Sequence, residues 1–229
     1  MSQRRCFPRI AAFAVGSPPC IFAGETLGGR DDMRQLAVVA AFAVLLGIAS
    51  AARADETSCG GELSGAVATG NLIVVPGADC TLRDVAVRGD VVVGAGAVLR
   101  VLGGVAIIGS LRADHCALVH LEPSLPAAWI AVAGNVDIQR CTETSGKLFT
   151  AGRVVIGGNF ACHDNEAPCF AVSLTIGGDA EIRRNRGLSY IESSTIGGSL
   201  RCLGNAGVTD YGLPNTVGQE KLGQCAGLS

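Results

Sequence analysis

Two carboxylates, Asp137 and Glu181, occupy the same place in alternate copies of a repeated stretch, with Ala161 at that place in the copy between them. If the copies stack at the ~4.8 Å spacing of neighbouring strands, the two acids lie ~9.6 Å apart. That is the outer edge of the ~5–9.5 Å separation that a carboxylate pair needs for glycoside cleavage. The three histidines are scattered. His115 lies beside Asp114 and has the makings of a general base, but no motif places a serine or cysteine nucleophile. His120 precedes Glu122 at the start of a proline-containing stretch, Glu122 to Trp129. His163 follows Cys162, with no second ligand pair at zinc-finger spacing and no CxxC pair anywhere. G-x-S-x-G, a Walker loop and H-E-x-x-H are absent. The Gly-Gly pairs do not form G-x-G-x-x-G before a helix, and the aspartate of the nonapeptide calcium repeat is missing. No catalytic residue, metal ligand or cofactor is therefore assigned. The candidate ligand face is Trp129, His120, Glu122, Asp137 and Glu181.

The element that must position these groups is a repeat. Its clearest copies begin Val155-Ile156-Gly157-Gly158-Asn159, Thr175-Ile176-Gly177-Gly178-Asp179 and Thr195-Ile196-Gly197-Gly198-Ser199. Looser copies begin at Gly70, Gly89, Gly109 and Gly134, and a truncated one lies at Thr216-Val217-Gly218. The frame glycines step by 19, 20, 25, 24, 20, 20 and 20 residues. A fixed period of this size marks a stacked solenoid. Two and four places after each frame glycine the residues are apolar, from Leu72/Val74 to Leu200/Cys202, and the alternate places are small, polar or charged. That alternation is a strand with one buried face. A ~20-residue unit cannot bury such a face alone and must stack on its neighbours. The chain is thus expected to be all-β, a single-stranded parallel β-helix of about seven to eight coils of ~20 residues, right-handed. An antiparallel sandwich would also give frequent strands, but not one register repeated at this period. Glycine at the frame position suits a tight corner with positive φ.

Residues 1–32 carry neither a targeting pattern nor a repeat and read as an upstream extension. Residues 33–54 read as a signal peptide: Met33-Arg34, an apolar run from Leu36 to Ile48, then Ala52-Arg53-Ala54 as an A-x-A cleavage site. The apolar run is at the short edge for a membrane span. Membrane contact is expected only through this segment if it stays uncleaved. Residues 55–229 then form the β-helix domain, with 206–229 as its C-terminal cap and Ala206 to Asn215 as a loop. This part holds 12 Lys and Arg against 17 Asp and Glu, so it is acidic and lacks the basic patch of a nucleic-acid binder. The long steps place insertions at Glu122–Trp129 and Cys141–Gly146. Such insertions gather on one side of a solenoid and often form its binding face.

Eight cysteines follow the signal segment, an even number in a chain marked for export. Cys116 and Cys141 both lie seven places after their frame glycine and should stack on adjacent coils at bonding distance. Cys162 and Cys202 share a column two coils apart, too far to bond. Cys162 is expected to meet Cys169, Cys202 to meet Cys225, and Cys59 to meet Cys80. The place seven after the frame glycine also holds Asn165, Asn185 and Asn205, an expected ladder of stacked amides. One place earlier lie Arg140, Asp164 and Arg184, expected to alternate as a surface ion-pair ladder; Glu181 and Arg201 form a similar pair.

The frame I-G-G-[NDS]-[LFA]-x-[CI]-x-x-N, with the late Gly223-Gln224-Cys225, resembles a group of uncharacterised secreted bacterial β-helix repeat proteins over about Gly134–Cys225. That resemblance implies an architecture and no particular activity. The coils from Val91 to Leu111 are similar to bactofilins, cytoskeletal β-helix polymers, in their glycine–valine periodicity alone; the export signal departs from a cytosolic filament. The functional expectation is an exported, non-enzymatic structural, adhesive or surface-binding protein. Its partner would be a polysaccharide or cell-surface ligand, not nucleic acid, with self-association possible through the coil ends. The alternative is a carbohydrate-active enzyme, a lyase or hydrolase, acting in a lateral groove near residues 122–146.

Overall fold

A computed structural model describes residues 55–123, 128–142, 149–151 and 153–229. The expected extension and signal segment, and the tips of both insertions, lie outside the described residues. Every coil runs through three short strands, and each strand pairs in parallel with its counterpart in the next coil. The first sheet has nine strands, from Thr57–Cys59 to Lys221–Gly223. The second and third have eight each, from Glu62–Ser64 to Gly207–Thr209 and from Val67–Ala68 to Thr216–Val217. The described residues therefore make eight coils of a parallel β-solenoid.

The register confirms the inward file. Leu72, Val91, Leu111, Val136, Phe160, Ala180 and Leu200 are Cα partners in unbroken succession. All are buried, as are the residues two places on, from Val74 to Cys202. Small and medium aliphatic side chains fill this narrow interior because a coil of three short strands leaves no room for a thick core.

The frame glycines do not owe their place to a positive φ. That conformation occurs elsewhere, at His115, Arg140, Asp164, Arg184 and Gly204 after the first-sheet strands. At the frame positions the reason is close approach between coils. A Cβ on Gly158 or Gly178 would strike the side-chain oxygen of Asn135 or Asn159 and press on the glycine one coil before. The residue after each frame glycine uses that closeness. The backbone N–H of Asp90 donates to Asn71 Oδ1, that of Ser110 to Asp90 Oδ1, and that of Asn135 to Ser110 Oγ, at 2.8–3.1 Å. The series continues through Asn159, Asp179 and Ser199 at 2.8–2.9 Å. These residues, expected only to be outward and polar, form an external ladder.

The internal asparagine ladder forms as expected. Asn165 Nδ2 donates to Asn185 Oδ1 at 2.9 Å and Asn185 Nδ2 to Asn205 Oδ1 at 3.2 Å, with all three buried. Each oxygen also accepts a backbone N–H: Cys141 donates to Asn165, Asn165 to Asn185 and Asn185 to Asn205. Gln224 ends the column, accepting from the Asn205 amide and backbone. Towards the N-terminus the same column becomes the Cys116–Cys141 disulfide. All four expected pairs are disulfides: Cys59–Cys80, Cys116–Cys141, Cys162–Cys169 and Cys202–Cys225, with Cα separations of 5.6, 4.5, 6.5 and 5.2 Å. Each typically contributes ~2–4 kcal/mol.

Three expectations change. Ala206 to Asn215 is not simply a loop, because Gly207–Thr209 adds a strand to Leu188–Tyr190. The last copy is shifted by one: Gly218 stacks on Gly197, so Gln219 takes the frame position and the final step is 21 residues. After it Lys221–Gly223 is the true last strand, leading into a 3-10 turn over Gln224–Gly227 with Cys225 buried. Finally, the two insertions do not leave from one side. Glu122–Trp129 joins the second sheet to the third, whereas Cys141–Gly146 joins the first to the second.

Two substitutions test the stacking. Gly177→Ala pushes a methyl into the Gly157 carbonyl and should cost about 1–3 kcal/mol. Asn185→Ala strands the buried Asn165 N–H and Cys162 carbonyl and should cost about 2–3 kcal/mol. Urea unfolding of both variants measures these losses; wild-type midpoints would mean that the corner contacts carry no stability.

Candidate ligand face

The outer surface of the first sheet is built in columns, because register places one residue per coil above its counterpart. One column runs Arg112, Asp137, Ala161, Glu181, Arg201. Its neighbour runs Asp114, Gln139, His163, Arg183. At the strand ends His115, Arg140, Asp164 and Arg184 follow on successive coils, each with positive φ. The short Ala161 side chain leaves a gap between Asp137 and Glu181. Two shallow depressions open here. One of about 420 Å³ is lined by Arg112, Asp114, Asn135, Asp137 and Gln139. Another of about 200 Å³ lies over Ala161, between Asn159, Asp179, Glu181 and Arg201.

The charges pair mostly between coils. Arg184 makes a bidentate contact to Asp164 at 2.5 and 2.7 Å. Arg140 makes one to Asp114 at 2.8 and 2.6 Å, so it turns away from Asp164, which was its expected partner. Glu181 pairs with Arg183 on its own strand at 3.3 Å, not with Arg201. Arg201 is exposed and has no ion pair among the described residues. Arg112 reaches only to 3.9 Å from Asp90. The Arg184 guanidinium, with His163 behind it, holds the Asp164 carboxyl far below the usual 3.8. Arg140 does the same for Asp114 more mildly.

The sequence assigns His163 no role. Its ring is in fact held between two carboxylates, Nδ1 at 2.8 Å from Asp164 Oδ2 and Nε2 at 3.2 Å from Asp137 Oδ1. The Asp137 carboxylate, opposed by burial and helped by Asp164, raises its pKa above 6.5. The signal was present in the sequence: the repeat that aligns Asp137 with Ala161 also puts His163 two places further on, on the same strand face and next to Asp164. Among the described residues no group of three His, Cys, Asp or Glu side chains is arranged around a common point to hold a metal.

The five expected face residues divide among three surfaces. Asp137 and Glu181 share the first sheet. His120 is on the second, paired with Glu122 at 3.1 Å. Trp129 is 54% exposed where the third-sheet strand Ile130–Val132 begins. The second sheet also carries an aromatic ladder that sequence reasoning missed. Phe170, Tyr190 and Tyr211 stack with centroids 4.4 and 4.9 Å apart, and Tyr211 Oη donates to Tyr190 Oη at 2.9 Å. Rings stacked on one another cover each other's faces, so this ladder supports the coils before it could bind a planar ligand. Comparison with known protein families, with curated proteins and with solved structures finds no match.

The lowered carboxyls give the acid limb of stability. Asp164 and Asp114 contribute above about pH 3.8, and that contribution is lost as pH falls towards their depressed values. Asp164→Asn should flatten this acid loss relative to wild type. Chemical denaturation at a series of acid pH values checks it; equal slopes for both proteins would show that Asp164 takes no part.

Proposed function

We propose that this protein is an exported, non-enzymatic β-solenoid that holds a polysaccharide or cell-surface glycan against the outer face of its first sheet. One observation carries the reading. Arg112, Asp137, Glu181 and Arg201 form a straight, regularly spaced column of donors and acceptors, opened at Ala161 into a shallow depression. A glycan chain offers hydroxyls or carboxylates at regular intervals, and a column on a rigid backbone meets them at a cost limited to ordering its side chains. Arg112 and Arg201 are the least engaged cations on the face, and guanidinium groups suit planar, bidentate recognition of oxygens. Export is supported by the four disulfides, which persist in oxidising compartments, and by the signal pattern of residues 33–54. No helix among the described residues is long and apolar enough to cross a membrane.

Co-sedimentation of the oxidised chain with insoluble and bead-bound polysaccharides tests the proposal. Binding is expected, and the Arg112→Ala/Arg201→Ala variant should lose about tenfold or more, since each charged hydrogen bond contributes about 1.5–3 kcal/mol. Unchanged binding by the double variant would remove the ligand from this face. Release of reducing ends from any polysaccharide would replace this reading with the hydrolase, for which Asp137 and Glu181 flank Ala161 in register.

A further inference from the structure

We propose that His163 is a proton-controlled charge switch that decides whether Asp137 presents a compensated or a bare carboxylate on the first sheet's outer face. Its regulatory meaning rests on the binding role given above, but the switch itself needs no ligand.

The geometry is asymmetric. His163 is nine-tenths buried, with each ring nitrogen facing a carboxylate. A neutral imidazole has a single N–H and can serve one of them; the other then faces a lone pair. Only the imidazolium satisfies both. Asp164 has a second partner, because Arg184 grips both of its oxygens. Asp137 has none: His163 is its one ion-pair partner among the described residues, and its Oδ1 is buried without a well-aligned hydrogen bond. When the proton leaves, Asp164 keeps its arginine and Asp137 loses its one ion-pair partner, leaving Arg140 to act on it only at longer range.

The surroundings favour the charged ring. Gln139 on the preceding strand is neutral, and Arg140 beside it is committed to Asp114. Arg183 on the following strand opposes protonation, but it is drawn to Glu181. The two aspartates outweigh Arg183 and burial, so the ring keeps its proton above the ordinary 6.5. The sign follows. A raised histidine stabilises the fold fully below about pH 6.5 and loses that contribution as pH rises through the raised value. Over the same interval the outer face loses the imidazolium charge, and Asp137 stands without its ion-pair partner at the rim of the 420 Å³ depression. A carboxylated glycan would then be held less tightly, and a neutral one would be little affected.

The test is an NMR titration of the full oxidised chain from about pH 5 to about pH 9, across the histidine range. The His163 ring and the Asp137 carboxyl carbon are the probes. The expected result is a His163 midpoint above 6.5, with an Asp137 step at the same pH. Asp137→Asn should lower the His163 midpoint, and His163→Gln should abolish the Asp137 step. A midpoint at or below 6.5, or an Asp137 signal that stays flat through it, overturns the switch. Retention on polygalacturonate beads supplies the second arm. Retention falling through the His163 midpoint in wild type, but not in His163→Gln, ties the switch to ligand; pH-independent retention overturns its regulatory role. Absence of retention on both polygalacturonate and neutral polysaccharide at every pH sinks the binding role alone, and the NMR result still decides the switch.

Discussion

The backbone of one coil touches the backbone of the next at the corner where the third sheet turns into the first. At Gly158, Gly178 and Gly198 the distance is so small that a single added carbon would meet the neighbouring coil's side-chain oxygen or carbonyl. Parallel strands must lie about 4.8 Å apart to share hydrogen bonds. A corner that keeps this spacing has no room for a side chain pointing along the axis. Glycine meets that demand, and the short polar residue after it turns the crowding into a bond by accepting the next coil's N–H. The same spacing governs the interior, where stacked asparagine amides satisfy backbone groups that no water reaches.

Once the coils are locked at that spacing, the outer faces become arrays. Each strand residue stands directly over its counterpart, so a charge in one coil is matched or opposed by the charge above it. Asp164 with Arg184 is such a match, both at corner positions with positive φ, whereas Arg140 reaches back to Asp114, one place before the residue in its own column. Isolated surface pairs contribute little. The value of this arrangement lies in position: Arg184 holds Asp164 in place beside His163, whose other ring nitrogen faces Asp137.

Several features were legible in the residues themselves. The register from Val136 to Leu200, the asparagine ladder and the Cys116–Cys141 disulfide follow from counting places after a frame glycine, because a solenoid converts equal sequence offset into vertical contact; the other three disulfides join unequal offsets and do not. The same counting failed where offsets shifted. One extra residue before Gly218 moved Gln219 into the frame. The segment after Asn205 looked irregular because its strand, Gly207–Thr209, carries a glycine and no strong apolar alternation. The five residues named for the ligand face were not brought onto one sheet. His120, Trp129 and Asp137 sit at different offsets from the frame glycine, and each coil turns through three sheets, so they lie on three surfaces.

The sequence by itself determined the architecture, the inward file and the Cys116–Cys141 pair, since each depends only on which residues recur at the period. The tertiary structure alone decided the side-chain partnerships on the outside. Arg140 chose Asp114 over Asp164, Glu181 chose Arg183 over Arg201, and His163 came to lie between Asp137 and Asp164. Long charged side chains can reach several neighbours at similar cost, and which contact forms depends on rotamers and backbone direction at the corner, neither of which a repeat period encodes.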